Sequence, residues 1–263
     1  QERNIESASE LLSPDLFMID PTAIVFGGPL ATGIKGRDKI VALINSWNIN
    51  EMNFDQEVVF WCGEFACAAG TLSYTIDGAL PIKDVPFANI LRVKDGKIIE
   101  RTDYGDYTQS FTEPPASPEP DLESIATKYL LAYLEMRYKD LALLLDEKAV
   151  FIDPTSAILG QGAPREGRSN ILNTFQNAFG VVLEFDFVQK RTFFFQNHAV
   201  FAGTTRYAMA GAALGLQKER VEFEGIPMLI VLEIVGGKVV KHTEYADYEE
   251  FLKQVEGLKD TDD

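Results

Sequence analysis

The spacing of apolar residues changes once along the C-terminal half of the chain. Ile125, Tyr129, Tyr133 and Met136 recur as one face of a helix, and Asp121 stands where a cap is wanted. Arg137-Tyr138-Lys139-Asp140 marks a break, and Leu141 to Leu145 predicts a second short helical turn. Val150-Phe151-Ile152 is a short apolar strand that ends at Asp153-Pro154, because a residue before proline is pushed out of the helical region. Gly167-Arg168-Ser169 opens a third helix through Ile171, Leu172, Phe175 and Phe179. After that the period becomes two. Strands are predicted over 182–195, 198–209, 219–234 and 238–247, with turns at Gln196-Asn197 and Val235-Gly236-Gly237. Helices first and strands afterwards predict an α+β fold rather than alternating βαβ units. A curved antiparallel sheet wrapped over the helices makes a cone with an internal pocket.

The pattern is written twice. Phe17-Met18-Ile19-Asp20-Pro21-Thr22 is echoed 133 residues later by Val150-Phe151-Ile152-Asp153-Pro154-Thr155. Gly36-Arg37 with Ile40 recurs as Gly167-Arg168 with Ile171, and Ala69-Gly70-Thr71 with Tyr74 recurs as Ala202-Gly203-Thr204 with Tyr207. Val85-Pro86-Phe87 recurs as Ile226-Pro227-Met228, and Gly96-Lys97-Ile98-Ile99 as Gly237-Lys238-Val239-Val240. Thr102-Asp103-Tyr104-Gly105-Asp106-Tyr107 recurs as Thr243-Glu244-Tyr245-Ala246-Asp247-Tyr248. Six blocks in the same order predict a tandem duplication. The first copy has strands at 54–62, 66–76, 84–93 and 97–106 and a helix from Gly36 to Trp47. Its leading helix is mostly missing, because only 19 residues precede Asp20. Two cone-like domains are expected, over 1–110 and 122–263. The proline-rich stretch 111–121 is read as an extended, semi-rigid linker.

Composition narrows the function classes. The formal charge of −16 argues against nucleic acid or an anionic membrane surface as partner, since phosphate recognition needs a basic face. No apolar run reaches the ~18 residues of a membrane helix, so a soluble chain is expected. His198, His242, Cys62 and Cys67 do not make a zinc site of the usual nitrogen and sulfur ligands within one domain, and no metal or cofactor is expected. The two cysteines read as apolar strand residues beside a tight turn. The chain begins at Gln1, so a processed or truncated N-terminus is expected, and no compartment signal remains to read.

The repeated blocks resemble the nuclear-transport-factor-two-like superfamily, in particular its SnoaL-like and steroid-delta-isomerase-like branches. The resemblance rests on Phe151-Ile152-Asp153-Pro154-Thr155, Gly167-Arg168, Ala202-Gly203-Thr204, Gly237-Lys238-Val239-Val240 and the final Thr243 to Tyr248 block. It covers nearly all of both copies. It implies the cone fold and a pocket for small apolar molecules, with cofactor-free isomerase- or cyclase-like acid–base chemistry among the fold's uses. It also implies an internal pseudo-dimer, since the exposed sheets of such domains commonly pair.

The resemblance implies roles for particular residues. Asp153, like Asp20 in the first copy, stands where the isomerases keep a general base; the residues alone also fit a turn that caps its own backbone. Tyr129, 24 residues earlier, matches the tyrosine that hydrogen-bonds a forming oxyanion. Glu244 and Asp103 match catalytic acids of the cyclase-like branch. The acid expected two residues after the strand proline is absent, since Leu229 and Ala88 stand there, and the Arg-x-Asp pair of limonene-epoxide-hydrolase-like enzymes is absent too. His242 reads as a solvated strand residue, or as a pocket-facing partner of Glu244 by alternation. Asp153, Tyr129 and Glu244 are thus the expected catalytic set. Tyr133, Phe175, His242, Asp20 and Asp103 are the expected ligand contacts. The alternative function is a non-catalytic accessory protein whose duplicated fold is a platform for a protein partner.

Overall fold

The computed structural model describes residues 9–76, 81–113 and 115–259. The chain divides into two compact units, Gln1–Val59 with Glu64–Ala116, and Ser117–Asp263 with Phe60–Gly63. Among the described residues no helix is long and apolar enough to cross a membrane.

The first unit contains β1 (Leu12–Ile19), β2 (Ile34–Lys35), α1 (Arg37–Ser46), β3 (Ile49–Cys62), β4 (Phe65–Ile76), β5 (Ile82–Lys94) and β6 (Lys97–Gly105). The second contains α2 (Leu122–Leu134), α3 (Tyr138–Leu144), β7 (Leu145–Ile152), β8 (Arg165–Glu166), α4 (Arg168–Phe179), β9 (Val182–Phe195), β10 (His198–Met209), β11 (Val221–Val235), β12 (Lys238–Ala246) and α5 (Tyr248–Lys259). The sheet orders are β2-β1-β6-β5-β4-β3 and β8-β7-β12-β11-β10-β9, the same topology twice. The fold is a tandem duplication of one α+β domain.

Each sheet is mixed rather than wholly antiparallel, which corrects the sequence expectation. The long strands form an antiparallel meander, but β1 runs parallel to β6, and β7 parallel to β12. A parallel pair needs a long connection. Here the helix and the entire meander supply it, and alternation of side chains carries no sign of strand direction.

The Ala-Gly-Thr block that recurs in both copies has a steric cause. A Cβ on Gly70 would meet the Asp55 carbonyl oxygen at 1.9 Å, and a Cβ on Gly203 would meet that of Val188 at 2.1 Å. At Gly203 the pairing of β10 with β9 shifts register. Glycine is what lets the neighbouring strand pass this close.

In the second unit α2 lies on the inner face of the sheet and buries Leu122, Ala126, Tyr129, Leu130, Ala132 and Tyr133. These residues join Leu141, Phe151, Ile171, Phe175, Phe201 and Ile230 in one continuous core. Two local readings need correction. Asp121 occupies the cap position of α2 but its side chain makes no capping bond. Met136 lies beyond the helix at a positive φ of 54°, not on its face. The backbone before α2 is held to this unit: Glu119 accepts from the Gly236 and Gly237 amides, and the Ser117 hydroxyl donates to the Gln196 carbonyl.

The first unit has its own apolar clusters. Leu16, Met18, Ile34 and Ile40 form one cluster, and Leu72, Val85 and Phe87 another. The expectation of a missing leading helix falls largely on residues 1–8, outside the described residues. Cys62 and Cys67 are buried thiols.

Candidate functional site

The site begins at the end of β7. Asp153 precedes Pro154, takes an extended backbone and caps the 3-10 helix Pro154–Leu159 with its side chain. Its Oδ1 accepts from the Thr155 hydroxyl at 2.9 Å and from the Ser156 amide at 3.1 Å. The same Thr155 hydroxyl oxygen accepts the Ala246 amide at 2.9 Å. Asp-Pro-Thr is therefore a bolt that joins the turn to the end of β12. The first unit repeats it: Asp20 accepts from Thr22, and Thr22 accepts the Gly105 amide at 2.8 Å.

The other carboxylate oxygen meets a tyrosine from the start of α5. Tyr248 donates to Asp153 Oδ2 at 2.5 Å, and Tyr107 donates to Asp20 Oδ2 in the first unit. Neither tyrosine was among the candidates read from sequence. The signal was present, since Asp106-Tyr107 and Asp247-Tyr248 close the last repeated block.

Asp153 lines a cavity of about 320 Å³ in the second unit. Phe151, Phe175, Phe179, Phe185, Ile226 and Met228 supply apolar wall. Its polar lining includes Tyr133, Asp153, Arg165, Thr205, Glu244 and Tyr248. The Tyr133 ring meets Phe175 and Phe179 edge to face, with centroids 5.0 and 5.3 Å apart. These rings sit on α2 and α4, so the two helices set the cavity's shape.

Burial raises the Asp153 carboxyl to about 7, and the charge of Glu244 adds to the effect; its hydrogen bonds from Tyr248, Thr155 and Ser156 act the other way. The Tyr133 and Tyr248 hydroxyls are pushed well above their ordinary values, first by burial and then by the acids they face. Both therefore stay protonated donors. Tyr133 donates to Glu244 Oε2 at 2.8 Å.

Two expected site residues lie behind this surface. Tyr129 is 1% exposed and does not line the cavity. Its hydroxyl meets His242 Nδ1 at 3.0 Å. Tyr129 and Tyr133 are one helical turn apart, and the turn nearer the α2 C-terminus is the one that reaches the cavity. His242 is fully buried, so it is neither a solvated strand residue nor a lining residue. Its Nε2 stands 3.5 Å from Glu244 Oε2 and has no hydrogen-bond partner. His242 thus forms a second layer linking Tyr129 to Glu244.

In the first unit Asp20 is buried, and its carboxyl is raised to about 6 by burial and then by Asp103. Asp103 is held by Arg101 at 2.8 Å and by the Asn89 side-chain amide. Asp20 and Asp103 do not belong to the second unit's cavity.

Residues 1–101 match the family model of the SnoaL-like domain. No curated protein matches the chain. Among solved structures the chain is similar to a candidate SnoaL-like polyketide cyclase from Shewanella putrefaciens CN-32, with 23% identity and a TM-score of 0.46 over 52% of this chain and 96% of that one. It is similar to another from Shewanella denitrificans OS-217, with 22% identity and a TM-score of 0.47 over 52% and 98%. A third is an NTF2-like protein of unknown function from Burkholderia pseudomallei K96243, with 12% identity and a TM-score of 0.44 over 51% and 97%.

Proposed function

We propose that the second unit, a duplicate of the SnoaL-like fold, binds a small, largely apolar molecule in its cavity and moves a proton on it. The observation that carries this reading is Asp153, a buried carboxyl raised to about 7 that lines an apolar cavity beside the charge of Glu244. A base poised near the working pH is what proton abstraction next to a carbonyl requires. Each carboxylate oxygen accepts two hydrogen bonds. Oδ2 is engaged by Tyr248 alone and keeps a lone pair for a substrate proton. In the reaction Asp153 takes the proton from carbon, the electron pair moves onto the carbonyl oxygen, and the proton returns to the enolate. Tyr133 is the hydroxyl that polarises the oxygen, in place of the expected Tyr129, by turning its single O–H from Glu244 to the substrate. Glu244 keeps the Asp153 proton weakly acidic.

The test is exchange of the α-protons of 2-tetralone, an apolar cyclic ketone, followed in D2O by NMR. The protein accelerates the exchange over buffer, and Asp153→Asn removes the acceleration. Absence of both exchange and binding overturns the reading.

One observation favours a second reading. Asp153 is bolted to its own turn, as Asp20 is in the first unit. A pocket that binds without turnover needs nothing more. Binding of 2-tetralone without exchange selects it.

A further inference from the structure

The cavity contains one cation that the proton-transfer reading leaves unused. Arg165 lies on β8, opposite Phe151 of β7, and lines the cavity half-buried. Among the described residues no hydrogen bond or ion pair engages its guanidinium. Arg168, three residues on, is by contrast tied to the Ala142 carbonyl at 3.2 Å and to Glu147 at 3.4 Å. The duplicated topology shows what ordinarily fills the place. In the first unit the same position on β2 is Ile34, paired with Met18 and buried in the core. The second unit has exchanged an apolar core residue for a guanidinium beside an apolar wall.

The remaining charged lining residues are Asp153 and Glu244, both buried acids. Among the described residues the lining thus holds a single cation. A guanidinium offers a planar pair of donors that matches a carboxylate, and such bonds are the strong ones. A phosphate, with up to two charges, would meet one arginine and two acids.

We propose that Arg165 anchors a carboxylate, and that the ligand of the second unit is an apolar ring-bearing monoacid. Its body lies against Phe175 and Phe179, and its carboxylate meets Arg165 away from Asp153 and Glu244. The proposal rests on the cavity being the ligand site.

The probes are 2-naphthylacetate and its neutral isostere 2-naphthylacetamide, titrated calorimetrically into the full chain. The acid binds at least tenfold more tightly than the amide. Arg165→Gln brings the ratio to within twofold of one, and Arg165→Lys, which keeps the charge, restores part of it. Equal binding of the two probes by the unaltered chain overturns the carboxylate anchor and leaves the cavity reading standing. So does a ratio that survives Arg165→Gln, or one that vanishes in Arg165→Lys. Binding of neither probe by the unaltered chain overturns both.

Discussion

Arg101 in β6 and His242 in β12 occupy one position of the duplicated sheet. Arg101 pairs with Leu91 of β5, and His242 pairs with Leu232 of β11, at the same register. Each stands two residues before the acid of its strand. Arg101 holds Asp103 with two of its nitrogens, whereas His242 Nε2 only approaches Glu244 to 3.5 Å. A guanidinium is charged at every working pH and grips its acid with charge-assisted bonds. The same fold thus carries an acid held by a guanidinium in one unit and an acid beside an imidazole in the other, and each raises the aspartate that caps its own unit's Asp-Pro-Thr turn.

The two groups that face Asp153 should move its titration in opposite directions. Glu244→Gln removes a repelling charge, so Asp153 titrates below its value of about 7. Tyr248→Phe removes a hydrogen bond to the ionised form, so Asp153 titrates above it. Carboxyl carbon chemical shifts followed against pH measure both. Movement in the same direction would sink the account of the site.

Stability should fall as pH rises from about 4 to 8. Asp20 and Asp153 are raised from 3.8 to about 6 and about 7, so over that interval the folded chain holds protons that the unfolded chain has released. Their contribution is complete below pH 4 and is lost as pH passes 6 and then 7. It amounts to roughly 7 kcal/mol for the two together. Urea unfolding at pH 5 and pH 8 reads the slope. Asp153→Asn and Asp20→Asn each flatten it, because the amide stays neutral throughout. An unchanged slope in both variants contradicts the upward shifts.

Gly203→Ala should cost about 1–3 kcal/mol, a penalty typical of forced overpacking. The new methyl would have to displace the Val188 backbone rather than a pliable side chain. Gly70→Ala meets the Asp55 backbone and should behave alike. Gly257→Ala in α5, where a Cβ meets nothing within 4 Å and φ is not positive, is the comparison without close approach. Equal costs at all three glycines would remove the steric explanation.

The strands were legible because alternation and turn residues are local signals. The expected 182–195 and 198–209 coincide with β9 and β10. The parallel pairing of β7 with β12 was not legible, because nothing in eight residues records which distant strand lies beside them. Within the site, Asp153 and Glu244 were readable from their repeated blocks. Tyr129 and Tyr133 were not separable, since both lie on the buried face of α2 and only the position of the cavity distinguishes them. Tyr248 lies just past the strand acids of the last block, and nothing in its spacing marks it as reaching Asp153. Arg165 is not legible because two residues form β8 and carry no periodicity. Its contrast with Ile34 becomes visible once the two sheets share a register.

Proton transfer should belong to the second unit alone. Both units have the Asp-Pro-Thr bolt and its tyrosine, so the motif by itself does not distinguish them. The difference lies behind the bolt. In the second unit Tyr133 and Glu244 open onto the cavity with Asp153. In the first, Asp103 is closed off by Arg101 and Asn89. If the bolt were the active group, Asp20→Asn and Asp153→Asn would slow 2-tetralone exchange equally. If the cavity and the acid that lines it matter, Asp153→Asn removes the acceleration, by at least tenfold, and Asp20→Asn leaves it within twofold. The stability slopes of the two variants stay similar, since both carboxyls are raised. That comparison separates a fold effect, shared by the units, from a chemical one confined to the second. Loss of exchange from Asp20→Asn alone, or equal loss from both, reverses the assignment.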